Sequence, residues 1–228
     1  MALTEELVAL VERIEPDPGP ATGIVDPTED ELRAIAAELL EAHRPSPLWL
    51  FAYGSLIWKP EVEHLETLKG MASGWHRRFC MQLTRWRGTN EVPGLMMALD
   101  RGGSCAGVVY RLPDEDHHGQ ILRLLMRETD GKPATNIPRW ISVATPGGPV
   151  KALAFVASPH GPRYAGRLPL PAVAETVARA AGHWGSGAQY LYNTVRHLDE
   201  HGIRDRNLWT LQGLVAEQIR RLHLAEAA

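Results

Sequence analysis

The sequence contains little cysteine and little net charge, and both facts restrict its class. Two cysteines, Cys80 and Cys105, in 228 residues exclude a disulfide scaffold and favour a reducing compartment. The net charge of −3 gives no electrostatic reason to expect a nucleic acid or an anionic membrane as partner. No apolar run approaches the ~18 residues of a transmembrane helix, and the acidic residues 1–6 do not resemble a secretory signal. We therefore expect a cytoplasmic protein.

Several motifs that carry chemistry are also missing. There is no H-E-x-x-H, C-x-x-C or H-x-H pattern, so the pairs His117-His118 and His197/His201 read as solvated side chains rather than metal ligands. Without a G-x-S-x-G turn, Ser55 is a poor hydrolase nucleophile. Neither G-x-G-x-x-G nor a Walker lysine loop occurs, which argues against a bound dinucleotide or nucleoside triphosphate. We expect neither a metal nor a cofactor.

What the sequence does contain is a block of strands followed by a block of helices. A hydrophobic content of 44% is enough for a core. Between residues 48 and 157 most apolar runs are short and separated by Gly, Pro, Asp or Asn, with one amphipathic helix inserted over 114–127; after Leu170 the pattern is helical. We predict an α+β fold with a small mixed or antiparallel, barrel-like sheet flanked by helices. The predicted strands are Leu48–Tyr53, Trp75–Leu83, Leu95–Leu99, Cys105–Leu112, Trp140–Ala144 and Val150–Ala157.

Glycine-rich turns suggest where strands reverse. The segments Asp100-Arg101-Gly102-Gly103 and Pro146-Gly147-Gly148-Pro149 predict two hairpins.

The N-terminal residues form a separate helical pattern. Apolar residues at helical spacing predict a helix over residues 4–14, and the proline-rich residues 15–27 read as a linker. Thr28 with Glu31 predicts a capping box at the start of a second helix, and Ser186 with Gln189 predicts a second capping box near the C-terminus. We expect residues 1–46 to be a helical extension and 47–228 the main domain.

The clearest candidate for a binding loop is Tyr53-Gly54-Ser55-Leu56. It follows the apolar run Leu48–Tyr53, which reads as a strand buried on both faces. Backbone N–H groups exposed after such a strand can converge on an anion or a carboxylate. The alternative is a turn that only ends the strand.

Two charged groups are further candidates. Glu128 ends an apolar helix, where burial would raise its pKa towards that of a general base; the alternative is a solvated glutamate paired with Arg127. Arg85 and Arg87 follow a strand and can clamp a carboxylate through paired hydrogen bonds, the alternative being a solvated loop.

Taken together, the order of these and other segments resembles the ChaC-like γ-glutamylcyclotransferases. The resemblance covers about residues 47–222. Its segments are Phe51–Trp58, Gly74–Cys80, Arg87-Gly88-Thr89, Pro93-Gly94, Gly102–Cys105, Gly107–Pro113, Met126-Arg127-Glu128, Tyr190–Val195, Leu208-Trp209 and Leu211.

The resemblance implies a reaction and roles for residues. In that family the α-amine of a γ-glutamyl compound attacks its own γ-carbonyl, which releases 5-oxoproline and an amine; for ChaC-like members the substrate is glutathione. By resemblance, Glu128 is the acid–base group and the backbone of Tyr53–Leu56 binds the γ-glutamyl part, without a metal or a covalent nucleophile. Arg87, Tyr164 and Tyr190 are additional substrate-binding candidates.

One departure from the family pattern concerns the residues after Glu128. Asn136 precedes Ile137-Pro138-Arg139-Trp140, where family members usually have a tyrosine, and the segment 129–136 is about two residues longer. This difference leaves two alternatives open: a cyclotransferase for other γ-glutamyl amines or amino acids, and an inactive γ-glutamyl-binding module.

Overall fold

The structure, a computed structural model, describes residues 1–129 and 131–226 and contains two compact units. The barrel unit comprises residues 23–78 and 98–162. The helical unit comprises residues 1–22, 79–97 and 163–228. The predicted division at residue 46 stays a prediction.

Five strands close into a barrel in the order β1-β3-β2-β4-β5, which confirms the predicted fold class. The strands are β1 (Trp49–Ala52), β2 (Glu66–Leu83), β3 (Gly94–Arg111), β4 (Asn136–Thr145) and β5 (Gly148–Ala157). Closure comes from β1, which pairs antiparallel with β3 and parallel with β5. Apolar side chains of these strands are buried on both faces of the barrel wall, since consecutive residues of a strand point to opposite sides. The buried members include Leu50, Phe51, Val108, Val109, Ile141, Val143, Leu153 and Phe155.

Helices complete both units. The barrel unit carries α2 (Glu29–Ala42), α3 (Ser55–Trp58) and α4 (His117–Glu128), and the last of these is the helix predicted within the strand region. The helical unit carries α1 (Glu5–Val11), α5 (Leu170–Arg179), α6 (Gly187–Glu200), α7 (Arg206–Glu226) and the short ribbon β6 (Ala181–Gly182) and β7 (Gly185–Ser186). No helix among the described residues is both long and apolar enough to cross a membrane.

The first predicted capping box is confirmed, and the second is only half formed. Thr28 and Glu31 form the capping box that starts α2. Ser186 caps α6 by accepting a hydrogen bond from the N–H of Gln189 at 3.0 Å, whereas the side-chain oxygen of Gln189 accepts a bond from Arg87.

One of the two predicted hairpins is wrong. Residues 146–149 do join β4 to β5, with Thr145 opposite Gly148. Residues 100–103 instead lie inside β3, so the runs predicted at 95–99 and 105–112 are parts of one strand. Gly102 and Gly103 have φ of +100° and +69° without reversing the chain, and Asp100 is engaged by Arg78 of β2 at 2.6 Å. Contacts across the sheet thus keep the strand continuous.

Both N-terminal helices are attached to a unit. Leu3, just before α1, is fully buried in the helical unit, where the side-chain oxygen of Gln212 accepts bonds from the N–H groups of Ala2 and Leu3 at 2.8 and 2.7 Å. In α2, Leu32 and Ala36 are buried in the barrel unit. The start of the chain thus contributes to the core of the helical unit, and α2 contributes to the core of the barrel unit.

Candidate active site

The predicted binding loop follows β1 and includes the first two residues of α3, and hydrogen bonds within the barrel unit hold its first residue. The buried Tyr53 hydroxyl donates a hydrogen bond to the carbonyl of Phe155 at 2.8 Å. The Tyr53 carbonyl accepts one from Nε of the buried Arg77 at 2.6 Å. Gly54 then caps α3, which begins at Ser55. Because the first N–H groups of a helix have no acceptor within it, the N–H groups of Ser55 and Leu56 are available for a ligand.

Glu128 is the last residue of α4, and the packing of that helix determines where the carboxylate lies. Ile121, Leu124 and Leu125 are buried along one face, which anchors α4 in the barrel unit. The Glu128 side chain is only 16% exposed. Its Oε1 is 3.0 Å from Nε of Arg127, and its Oε2 accepts a hydrogen bond from Nδ2 of Asn136 at 3.4 Å.

Opposing effects determine the acidity of Glu128. Burial is the largest and raises the pKa, because it disfavours the charged form. The positive charge of Arg127 and the hydrogen bonds from Arg127 and Asn136 lower the pKa, whereas the nearby charge of Glu61 raises it. The pKa of Glu128 lies above its ordinary value as a result. The expected pair with Arg127 therefore exists, but the carboxylate is largely buried rather than solvated.

Arg127 connects this carboxylate to the binding loop. Its Nη2 donates to Oγ of Ser55 at 3.3 Å, and its Nη1 donates to the carbonyl of Lys59 at the end of α3. Nη1 also lies 3.4 Å from Oε2 of Glu61. The structure therefore brings Glu128 and Ser55 together through one guanidinium. The sequence identified Arg127 only as a possible ion-pair partner; its place beside Glu128 at a helix end was the available signal.

The segment after Glu128 is tied to the N-terminal part of the barrel unit. Lys132 and Val25 exchange two backbone hydrogen bonds, of 2.8 and 3.3 Å. Nζ of Lys132 lies 2.6 Å from both carboxylate oxygens of Glu31. We call this set of contacts among Val25, Glu31 and Lys132 the strap. Within the segment 129–136, Asp130 lies outside the described residues.

Arg87, a further candidate for substrate binding, belongs to the helical unit. Arg87 is 7% exposed, and its Nη1 donates to the carbonyl of Ser186 at 2.9 Å and to Oε1 of Gln189 at 3.2 Å. Burial lowers its pKa. Its guanidinium carbon lies 5.5 Å from the ring centre of Tyr190. These contacts hold parts of the helical unit together, and a role for Arg87 towards substrate stays a prediction.

The remaining candidates are also in the helical unit. The ring of the buried Tyr190 meets Phe79 edge-on at 6.1 Å, and Tyr164 forms an isolated bridge with Met81. Arg85 binds both carboxylate oxygens of Asp17 at 2.7 and 2.8 Å. Substrate contacts of Tyr164 and Tyr190 stay predictions.

Metal-ligating side chains do not cluster in the part of the chain that the structure describes: no group of three or more His, Cys, Asp or Glu residues there is placed to hold an ion. The chemistry that the arrangement itself offers is proton transfer by a largely buried carboxylate, beside a loop whose N–H groups at the start of α3 can donate to a ligand.

Comparison with known proteins gives a consistent set of similarities. The profile of the ChaC-like protein family matches residues 48–218. The glutathione-specific γ-glutamylcyclotransferase of Escherichia coli (strain K12) is 36% identical over 181 residues, which is 79% of this chain and 78% of that protein. Glutathione-specific γ-glutamylcyclotransferase 1 of Homo sapiens is 34% identical over 154 residues, covering 64% of this chain and 68% of the human protein.

A solved structure shares the fold. The crystal structure of a γ-glutamyl cyclotransferase specific to glutathione from yeast superposes with a TM-score of 0.69 at 19% identity. The match covers 76% of this chain and 97% of the yeast chain.

Proposed function

The chain belongs to the ChaC-like protein family, and we propose that it is a glutathione-specific γ-glutamylcyclotransferase in which Glu128 transfers the protons. The names of the Escherichia coli and human relatives support the activity and the substrate. The observation that supports the residue assignment is the contact of a largely buried carboxylate with Arg127, which also binds Ser55 of the loop.

The first step is removal of a proton from the substrate. The α-amine of glutathione is an ammonium group near neutral pH and cannot attack until it is deprotonated. Glu128 has a raised pKa, which makes it a better proton acceptor than an exposed carboxylate. The amine nitrogen then attacks the γ-carbonyl carbon of the same molecule, and the C–N bond of a five-membered lactam forms. Because the attack is intramolecular, orientation of the γ-glutamyl arm supplies much of the rate.

The second step breaks the γ-glutamyl amide. Attack places negative charge on the former carbonyl oxygen, and the N–H groups of Ser55 and Leu56 are the donors that we assign to it. When the intermediate collapses, protonated Glu128 gives its proton to the cysteinylglycine nitrogen and the bond to that nitrogen breaks. The ionised Glu128 then accepts the second proton of the lactam nitrogen and passes it to the departing amine, which leaves as an ammonium group. The products are 5-oxoproline and cysteinylglycine, and Glu128 is again ionised.

The alternatives from the sequence are less well supported. A different γ-glutamyl substrate disagrees with the glutathione-specific names of the relatives. An inactive module gives no reason for a buried carboxylate with a raised pKa beside the loop. Release of 5-oxoproline from a panel of γ-glutamyl compounds distinguishes the first alternative, and calorimetric binding of glutathione without turnover would support the second. A cytoplasmic location is also a proposal, supported by two buried thiols, Cys80 and Cys105.

The direct test is release of 5-oxoproline from glutathione by the wild type and by Glu128→Gln. The substitution keeps the shape of the side chain and removes the base, so we expect turnover to fall by at least ~10²-fold. Glu115→Gln is the matched control, since Glu115 is exposed and lies just before the same helix; it should keep wild-type turnover. An undiminished rate in Glu128→Gln would contradict the assignment.

A further inference from the structure

We propose that Asn136 is a positioning residue that holds the Glu128 carboxylate at its second oxygen. The inference rests on the proposed function, because it concerns how the acid–base group is oriented. Arg127 contacts Oε1 of Glu128, and Nδ2 of Asn136 donates to Oε2 at 3.4 Å. The carboxylate is therefore contacted from two different elements.

The same amide nitrogen also binds the main chain of Glu128. Nδ2 of Asn136 donates to the Glu128 carbonyl at 2.9 Å. That carbonyl is in the last turn of α4, where carbonyl groups have no partner within the helix. One NH₂ group thus serves the end of the helix and the carboxylate of its last residue. An NH₂ group has two hydrogens, whereas the hydroxyl of the tyrosine expected at this place has one and cannot donate to both acceptors at once.

The barrel fixes the position from which Asn136 acts. Asn136 is the first residue of β4 and pairs with Ala157 of β5. It is 5% exposed, so its side chain has little room to rotate away. The position of β4 in the barrel therefore fixes the position of the Asn136 amide group, and that group in turn orients the Glu128 carboxylate.

Besides burial, Asn136 and two charged groups, Arg127 and Glu61, together determine the pKa of Glu128. Arg127, on the same helix, favours the charged form of Glu128, and Glu61, in the loop after α3, disfavours it. The hydrogen bond from Asn136 favours the charged form. Removing that donor should raise the pKa of Glu128 further, and a carboxylate in its place should raise it more through like-charge repulsion.

The experiment compares the pH dependence of kcat and of kcat/KM for glutathione in the wild type, Asn136→Leu and Asn136→Asp. We expect the acidic limb to move to higher pH, by roughly half to one unit in the leucine variant and further in the aspartate variant. At neutral pH, kcat should fall by about tenfold in the leucine variant, with a smaller change in KM, because positioning acts on the chemical step.

Gln120→Leu is the matched control. Gln120 is also 5% exposed, lies in α4, the helix that ends at Glu128, and donates its amide hydrogens to the carbonyls of Pro113 and Glu115 at 3.1 and 2.6 Å. The same substitution there should lower the thermal midpoint and leave the acidic limb of the pH profile in place. This separates positioning from a general loss of stability.

The position of the acidic limb in the Asn136 variants decides between a positioning role and a purely structural role. An acidic limb that stays at the wild-type pH in Asn136→Leu, with only the thermal midpoint lowered, would show that Asn136 is merely structural. If the leucine variant does not fold, Asn136→Asp decides alone, and a limb that is unmoved or moves down refutes the proposal. Full activity in Glu128→Gln would instead refute the proposed function and leave no basis for the positioning role.

Discussion

Glu128 combines burial with a charged neighbour, and the two change its pKa in opposite directions. Burial stabilises the neutral acid, whereas Arg127 stabilises the carboxylate. Arg127 is itself engaged by Ser55, Lys59 and Glu61, so it cannot neutralise Glu128 completely. The carboxylate is therefore held at a functional position at some expense in stability, as is common for catalytic groups.

This conflict predicts a pH-dependent gain of stability in Glu128→Gln. The folded protein keeps the Glu128 proton to a higher pH than the unfolded chain does, since the pKa is raised above 4.5 in the folded state. Wild-type stability should therefore fall, relative to the variant, as pH rises from about 4.5 through the raised pKa. Thermal melting across this range measures the difference. Glu115→Gln should parallel the wild type; a Glu128→Gln advantage that shrinks with rising pH would contradict the argument.

At the scale of elements, α2 and the residues just before it contact the elements on either side of Glu128. Helix α2 buries Leu32 and Ala36 and contacts α4. The carbonyl of Leu39 accepts a hydrogen bond from Nε1 of Trp140, in β4, at 3.0 Å. The strap then fixes the segment between α4 and β4 to the residues just before and within α2. Helix α2 and the residues just before it thus restrict the segment that carries Asn136.

The strap predicts a kinetic effect for Lys132→Met and Glu31→Gln. Each variant breaks the same ion pair, so we expect kcat to fall by about twofold to tenfold, with little change in KM and no further loss in the double variant. The hydrogen bond from Lys132, together with those from the backbone and side chain of Thr28, lowers the pKa of Glu31 to about 2. The pair is therefore present above the ordinary pKa of a glutamate and is lost as pH falls towards 2. Steady-state kinetics at neutral pH test this. Losses that add in the double variant would argue against a shared contact.

At the scale of the whole molecule, the chain forms two compact units, and the candidate proton-transfer chemistry lies in one of them. Glu128, Arg127, Asn136 and the loop at residues 53–56 all belong to the barrel unit. The helical unit has its own core, and its α7 buries Leu208, Leu211, Val215 and Ile219. The start of the chain is bound there by Gln212.

Gln212→Leu should therefore affect stability without affecting proton transfer. The substitution leaves the N–H groups of Ala2 and Leu3 without their acceptor, which should lower the free energy of unfolding by about 1–3 kcal/mol. We expect the acidic limb of the pH profile to stay in place. Chemical denaturation and the kinetic pH profile measure the two quantities, with Gln218→Leu in the same helix as control. A shifted limb would show that the helical unit influences Glu128.

Much of the fold was predictable because it depends on local signals. The capping box at Thr28, the cap at Ser186 and the turn at residues 146–149 each involve residues within a few positions of one another. Residues 66–74 of β2 were missed because they are mostly exposed and contain no continuous apolar run. The hairpin expected at residues 100–103 failed because pairing between strands overrode the turn preference of two glycines.

The sequence by itself determined the class of fold, the family resemblance, and Glu128 with the loop at Tyr53–Leu56 as candidates. Only the tertiary structure decided how they are connected: Arg127 joins Glu128 to Ser55, Asn136 binds the carboxylate, and Arg87 is engaged within the helical unit. The physical reason is the range of the interactions. Caps, turns and periodic apolar faces are encoded over a few residues, whereas these contacts join side chains from different elements that only folding brings within hydrogen-bond distance.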